Sequence, residues 1–276
     1  MISLTEDHSV LTFESLLSVA PRVTSFTTSR HGGFSQGKYA SFNPSPYSGD
    51  DEVAVKRNLE KLENSLPEHP VQLFRPRQVH GVETRVIDAS FLSLTEEEQK
   101  LRLTGVDALI AALPGYAVCV STADCVPIVL YDRCNNVVAA VHAGWRGTVK
   151  RILRRVLQMM NSLYGTVGED IFAAIGPSIS LKAFEVGEEV YDEFQNAGFD
   201  MSSISVWNDK TNKHHMDLWK ANSLQLEDFG VSRASIEISG ICTYTQCEDF
   251  FSARRLGKQS GRILTGIMIN RSENVF

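Results

Sequence analysis

Three short segments of this 276-residue chain end apolar runs in residues that a hydrophobic core would not select. Arg77-Gln78-Val79-His80-Gly81 carries an apolar segment into a histidine and a glycine, as at a strand end opening into a loop. Ser121-Thr122-Ala123-Asp124-Cys125-Val126-Pro127 places an acid and a thiol between the apolar runs YAVCV and VPIVLY. A carboxylate buried there costs free energy unless it is paired or hydrogen-bonded. NVVAAV then ends at His142, followed by Ala143-Gly144-Trp145-Arg146-Gly147-Thr148. Two imidazoles and a thiol are a good zinc set, and three protein ligands leave a fourth position for water. The separations are 45 residues from His80 to Cys125 and 17 from Cys125 to His142. No short metal motif has that spacing, so only the fold can join them. The same groups allow Cys125 to be a nucleophile, with His142 as its base and Asp124 or His80 orienting it. A blue-copper centre also uses two histidines and a cysteine, but no methionine lies near Cys125 or His142 in sequence to serve as the weak axial ligand. Taken singly, each residue has a plain structural reading: His80 at a surface turn, Cys125 as a small core side chain, Asp124 as a turn or cap.

Anion binding has its own candidates. Ser25-Phe26-Thr27-Thr28-Ser29-Arg30-His31-Gly32-Gly33 ends in a basic glycine turn, and Phe250-Phe251-Ser252-Ala253-Arg254-Arg255 puts two arginines beside aromatics. With Arg146 these give four guanidinium groups shaped for phosphate or carboxylate. A lone surface arginine is usually just solvated. The strand, glycine turn and helix start around residues 142–148 suit anion binding at exposed amides, with Thr148 capping the next helix. A Walker loop is absent. Cys242 and Cys247 are spaced C-x4-C without a second pair, which does not make a structural zinc knuckle.

These residues need a frame. Residues 51–66 read as an amphipathic helix with Val55, Leu59, Leu62 and Leu66 on one face. A cluster of strands follows in LFRPRQVH, TRVID, DALIAA, YAVCVS, VPIVLYD and NVVAAVH, several of them apolar on both faces. A helix over 148–163, the strand IFAAIG, the helices GEEVYDEFQNAG and DLWKANSLQLEDFG, and the strands ASIEISG and RILTGIMIN complete the reading. Intermixed strands and helices imply an α/β fold: one domain over residues 1–276 with a mixed sheet covered by helices.

Composition agrees. Apolar residues are 43% and charged residues 22% of the chain, as in ordinary globular proteins. The net charge of −6 argues against a general nucleic-acid binder. No apolar stretch approaches a membrane span. MISLTEDHSV carries two acids and no Lys or Arg, unlike a secretory signal, and five cysteines do not make a disulfide framework. A reducing cytoplasm is the expected setting.

RQVHG, STADCVPI, AAVHAGWRGT, AIGPSIS with FEVG, DLWKAN, CTYTQ, FFSARR and SGR occur in the order found in the laccase-domain purine nucleoside phosphorylase family. That family has also been labelled multicopper polyphenol oxidase and, in bacteria, peptidoglycan-editing factor. The resemblance covers about residues 24–269. It implies a single-domain α/β sandwich similar to the catalytic domain of cytotoxic necrotizing factor toxins, with His80, Cys125 and His142 as zinc ligands. The implied activities are phosphorolysis of adenosine, inosine, guanosine and methylthioadenosine, and deamination of adenosine. Purine nucleosides and phosphate would be the partners, with no nucleic acid or membrane; oligomeric state stays open. Within SFNPSPYSGDD, Tyr47 stands where many relatives carry histidine and Pro44-Ser-Pro replaces a Leu-Gly segment, so contacts from that loop do not transfer residue for residue. Asp124 is the acid/base candidate beside the metal, and Arg30, Arg146, Arg254 and Arg255 are the phosphate candidates. The other readings are a metal-free Cys–His hydrolase or amidase acting on peptidoglycan precursors, a copper phenol oxidase, and a non-catalytic module binding a phosphorylated metabolite.

Overall fold

A computed structural model describes residues 1–19 and 22–271. Two six-stranded mixed sheets form its centre. The first runs in the order β1 (Ile2–Ser3), β2 (Val10–Thr12), β3 (Val23–Thr28), β15 (Ile263–Ile269), β7 (Tyr116–Thr122), β4 (Gln72–Phe74). The second runs β14 (Ile236–Ile238), β10 (Ile171–Ile175), β8 (Val126–Asp132), β9 (Val137–Ala143), β6 (Ala108–Ala111), β5 (Thr84–Ile87). A third, small sheet of β11 (Glu185–Val186), β13 (Lys213–Met216) and β12 (Ser205–Asn208) joins the core of the second sheet through Val186 and Met216.

The period-2 alternation of a strand explains why these runs are apolar throughout. On β7, Val118 and Val120 enter a core shared with the second sheet, while Ala117 and Cys119 enter another core with Leu62 and Leu66 at the end of the Glu52–Ser65 helix. On β8, Val129 and Tyr131 face the first sheet, while Ile128 and Leu130 face a third core with Val156 and Met160 of the Ile152–Tyr164 helix. The result is a helix–sheet–sheet–helix sandwich, the mixed α/β class expected. Among the described residues no helix is long and apolar enough to cross a membrane.

Three local expectations need correction. The helix expected over 148–163 is broken: Trp145–Val149 and Ile152–Tyr164 are separate, because Arg151 adopts φ 60°, outside the helical region. Thr148 therefore caps nothing; its hydroxyl lies inside the first short helix and accepts from Asn222 Nδ2 at 3.2 Å. The strand expected through LFRPRQVH stops at Phe74, with an irregular segment carrying the chain on to His80.

Candidate metal centre and its cleft

Strand register gathers the distant ligands. β8 and β9 pair antiparallel with Val126 opposite Ala143 and Pro127 opposite His142, so the start of β8 lies beside the end of β9. Cys125 immediately precedes that start. It also sits where the chain crosses from β7 in one sheet to β8 in the other. β6 pairs with β9 through Ala108 and Val141, and β5 pairs with β6 through Thr84 and Ala108. The loop before β5, which carries His80, therefore reaches the same end of the sheet.

There the ligand atoms of His80, Cys125 and His142 lie within 4.8 Å of one another. That proximity lets all three reach one ion. The two rings meet edge-on at 4.8 Å between centroids. Gly144 leaves the space: a Cβ there would stand 3.0 Å from Cys125 Sγ and 3.1 Å from His80 Cδ2. Burial pushes the Cys125 thiol up, yet His142 and His80 beside it outweigh burial and favour the thiolate. Burial disfavours a charged His142, but the Cys125 sulfur and the Asp107 carboxylate outweigh it and raise its pKa. A thiolate and two imidazoles, with room between them, fit zinc.

Asp107 escaped the sequence reading. Its buried carboxylate accepts from His142 Nδ1 at 2.7 Å and from the backbone N–H groups of Val79, His80 and Gly81. Burial would raise its pKa, but the hydrogen bonds and charge of His142 and the backbone donors hold it below the ordinary carboxylate range. The reasoning that singled out Asp124, an acid bordering a buried strand, applies equally to Asp107 before ALIAA. Gln78 is a second missed residue: it exchanges two hydrogen bonds with the Ser121 backbone and ties the His80 loop to β7.

The trio opens into a cleft of about 720 Å³, lined also by Ser45, Tyr47, Trp145, Phe184 and Asp124. That volume is ordinary for a small-molecule site. Asp124 holds φ 84°, and both its carboxylate oxygens are engaged: Oδ1 accepts from the Thr243 hydroxyl at 2.7 Å and Oδ2 from the Arg254 backbone N–H at 2.6 Å. The four candidate arginines divide. Arg146, stacked on Trp145, and Arg254 line the cleft. Arg30 is absent from its wall; its guanidinium lies over the Phe251 ring and donates to the carbonyls of Ala40 and Cys247. Arg255 turns to the Tyr244 ring instead. Lys258 and Arg262 take their places in the wall; the SGR segment that contains Arg262 was the signal for it.

Residues 24–270 match the family described as multi-copper polyphenol oxidoreductase laccase. The chain belongs to this family. A relative from Bacteroides thetaiotaomicron, named purine nucleoside phosphorylase, is 51% identical over 98% of this chain and 100% of its own. Another, from an unknown prokaryotic organism and named adenosine deaminase RL5, is 44% identical over 89% of this chain and 93% of its own. The crystal structure of YlmD from Geobacillus stearothermophilus is similar with a TM-score of 0.82 at 30% identity, over 92% of this chain and 94% of that one. The family description invokes several coppers, whereas among the described residues of this member His80, Cys125 and His142 form the one group of three or more such side chains placed to share an ion. No methionine is among the described residues of the cleft wall.

Proposed function

We propose that this chain is a zinc-dependent purine nucleoside phosphorylase that also deaminates adenosine. The observation that carries it is the joining, in one cleft, of a two-imidazole, one-thiolate ligand set with Arg146, Arg254, Lys258 and Arg262. The relatives named for these two activities support the same reading. Four cationic side chains on an acidic protein suit phosphate. Trp145, Phe184 and Tyr47 offer apolar faces to a purine. Bound zinc would supply Lewis acidity and lower the pKa of a coordinated water.

The residues divide the work as follows. His80, Cys125 and His142 hold the metal. Arg146 and Arg254 hold phosphate, while Lys258 and Arg262 add positive charge to the wall. In phosphorolysis the bond from C1′ to the purine nitrogen breaks, a phosphate oxygen bonds C1′, and the leaving purine takes up a proton. We assign the proton transfers to Asp124. Each of its oxygens accepts one hydrogen bond and has a second lone pair, and its Thr243 and Arg254 partners fix it on the cleft wall. Incubating zinc-loaded protein with inosine and phosphate should yield hypoxanthine and ribose 1-phosphate, and adenosine alone should yield inosine and ammonia. Turnover no greater than that of His80→Ala would overturn the reading.

One observation favours a second reading, a metal-free cysteine hydrolase: Cys125, His142 and Asp107 are connected as thiol, imidazole and carboxylate. That arrangement is the nucleophile, base and orienting group of acyl transfer. It requires that chelators leave activity intact while iodoacetamide abolishes it. Stoichiometric zinc with activity lost on chelation decides for the metal.

A further inference from the structure

We propose that Asp107 is the positioning residue of the metal centre, a single buried carboxylate that fixes both histidine ligands at once. The inference rests on reading the trio as a metal site, and it is carried by geometry. Asp107 directly precedes β6, the strand that lies between β5 and β9. One ligand approaches from each side of it. On the β9 side, His142 donates its backbone N–H to the Asp107 carbonyl at 2.8 Å and its ring Nδ1 bonds Oδ1 at 2.7 Å. On the β5 side, three successive N–H groups converge on the same carboxylate, from Val79 at 3.2 Å, His80 at 3.0 Å and Gly81 at 2.7 Å.

Each contact has a consequence for an ion. Committing Nδ1 of His142 to Asp107 leaves Nε2 as the nitrogen facing Cys125 and the metal. A ligating histidine held this way keeps one tautomer and one ring orientation. His80 sits at φ 60°, a conformation costly for a residue with a Cβ. Its own N–H and those of its two neighbours are what Asp107 holds, so the carboxylate stabilises the bend that points this loop at the site. Gly81 permits the approach, since a Cβ there would stand 3.3 Å from Asp107 Oδ2. A plain loop staple would need only the backbone donors. The His142 ring ties the same carboxylate to the chemistry.

The test is Asp107→Asn, which keeps the shape but replaces one acceptor oxygen with a donor. An amide cannot serve all four: with its NH2 at the Oδ1 position it loses the His80 N–H and the His142 ring together, and with its NH2 at the Oδ2 position it loses the Val79 and Gly81 donors, so the His80 loop is loosened either way. Zinc dissociation constants would be measured by competition with a chromophoric chelator, beside thermal unfolding of the metal-free proteins. Losing the carboxylate behind a ligating histidine weakens metal binding about 10–100-fold, so binding weaker by tenfold or more in the folded variant supports the proposal. Any smaller change, whatever happens to thermal stability, overturns it and leaves Asp107 a structural loop anchor. Should the variant not fold, zinc-loaded wild-type protein labelled with ¹⁵N-histidine decides. The proposal requires His142 to carry its proton on Nδ1 and bind metal through Nε2; the opposite assignment overturns it. Wild-type protein that takes up no zinc removes the metal reading itself, a result distinct from wild type and variant binding equally well.

Discussion

At the scale of single residues, the centre depends as much on what is missing as on what is present. Gly144 has φ −64°, which any residue adopts, so its role is space rather than backbone freedom. Gly144→Ala puts a methyl group against Cys125 and His80, and zinc affinity should fall at least tenfold in chelator competition. As a helix N-cap the same change costs up to about 1 kcal/mol, so the metal-free protein should unfold within a few degrees of wild type. The arginines give a contrasting pair. Arg254→Ala should raise the KM for phosphate at least tenfold in the hypoxanthine-release assay and leave stability nearly unchanged, since this side chain is exposed. Arg30→Ala removes charged donors from two backbone carbonyls, a loss of about 2 kcal/mol. It should lower the urea midpoint and leave the KM for phosphate within twofold.

At the scale of elements, the site is built from strand ends and short connections, each braced by a neighbour. The Trp145–Val149 helix carries Arg146 and is too short to hold itself. It is pinned by Asn222 of the Leu218–Asp228 helix, whose buried Nδ2 donates to Thr148 Oγ1 and to the Leu218 carbonyl. Asn222→Ala should cost about 2 kcal/mol in urea unfolding and raise the KM for phosphate through Arg146. Apolar periodicity made the strands and long helices legible, because it records which face is buried. The break at Arg151 was not legible, because its φ of 60° is held by tertiary contacts: stacking on Phe199 and a hydrogen bond to the Ala197 carbonyl. The three candidate ligands were legible as chemistry that apolar runs do not explain. Asp107 gave the same signal as Asp124, an acid bordering a buried strand, but what it holds shows only once β6 is seen between β5 and β9. Choosing among the arginines needed coordinates, because nothing local distinguishes Arg30, held away from the cleft, from Arg254 on its wall.

At the scale of the whole molecule, the candidate ligands come from two connections and the end of β9 and meet where the chain crosses between the two sheets, so binding an ion there would be linked to folding. The unfolded chain holds His80, Cys125 and His142 apart, with tens of residues between the first two. An ion that needs all three binds the native state far better than the unfolded one. Free zinc at a hundred times its dissociation constant should then stabilise the fold by about 2.7 kcal/mol, and in a chain of this size that raises the unfolding temperature by roughly 5–10 °C. Differential scanning of chelated and zinc-supplemented protein measures the shift. His80→Ala should abolish it without lowering the metal-free transition, because the exposed His80 ring contributes little packing. Cys125→Ala should abolish it as well. A zinc-induced rise that survives both changes would mean the ion binds elsewhere, and the junction of the two sheets would lose its assignment as the metal centre.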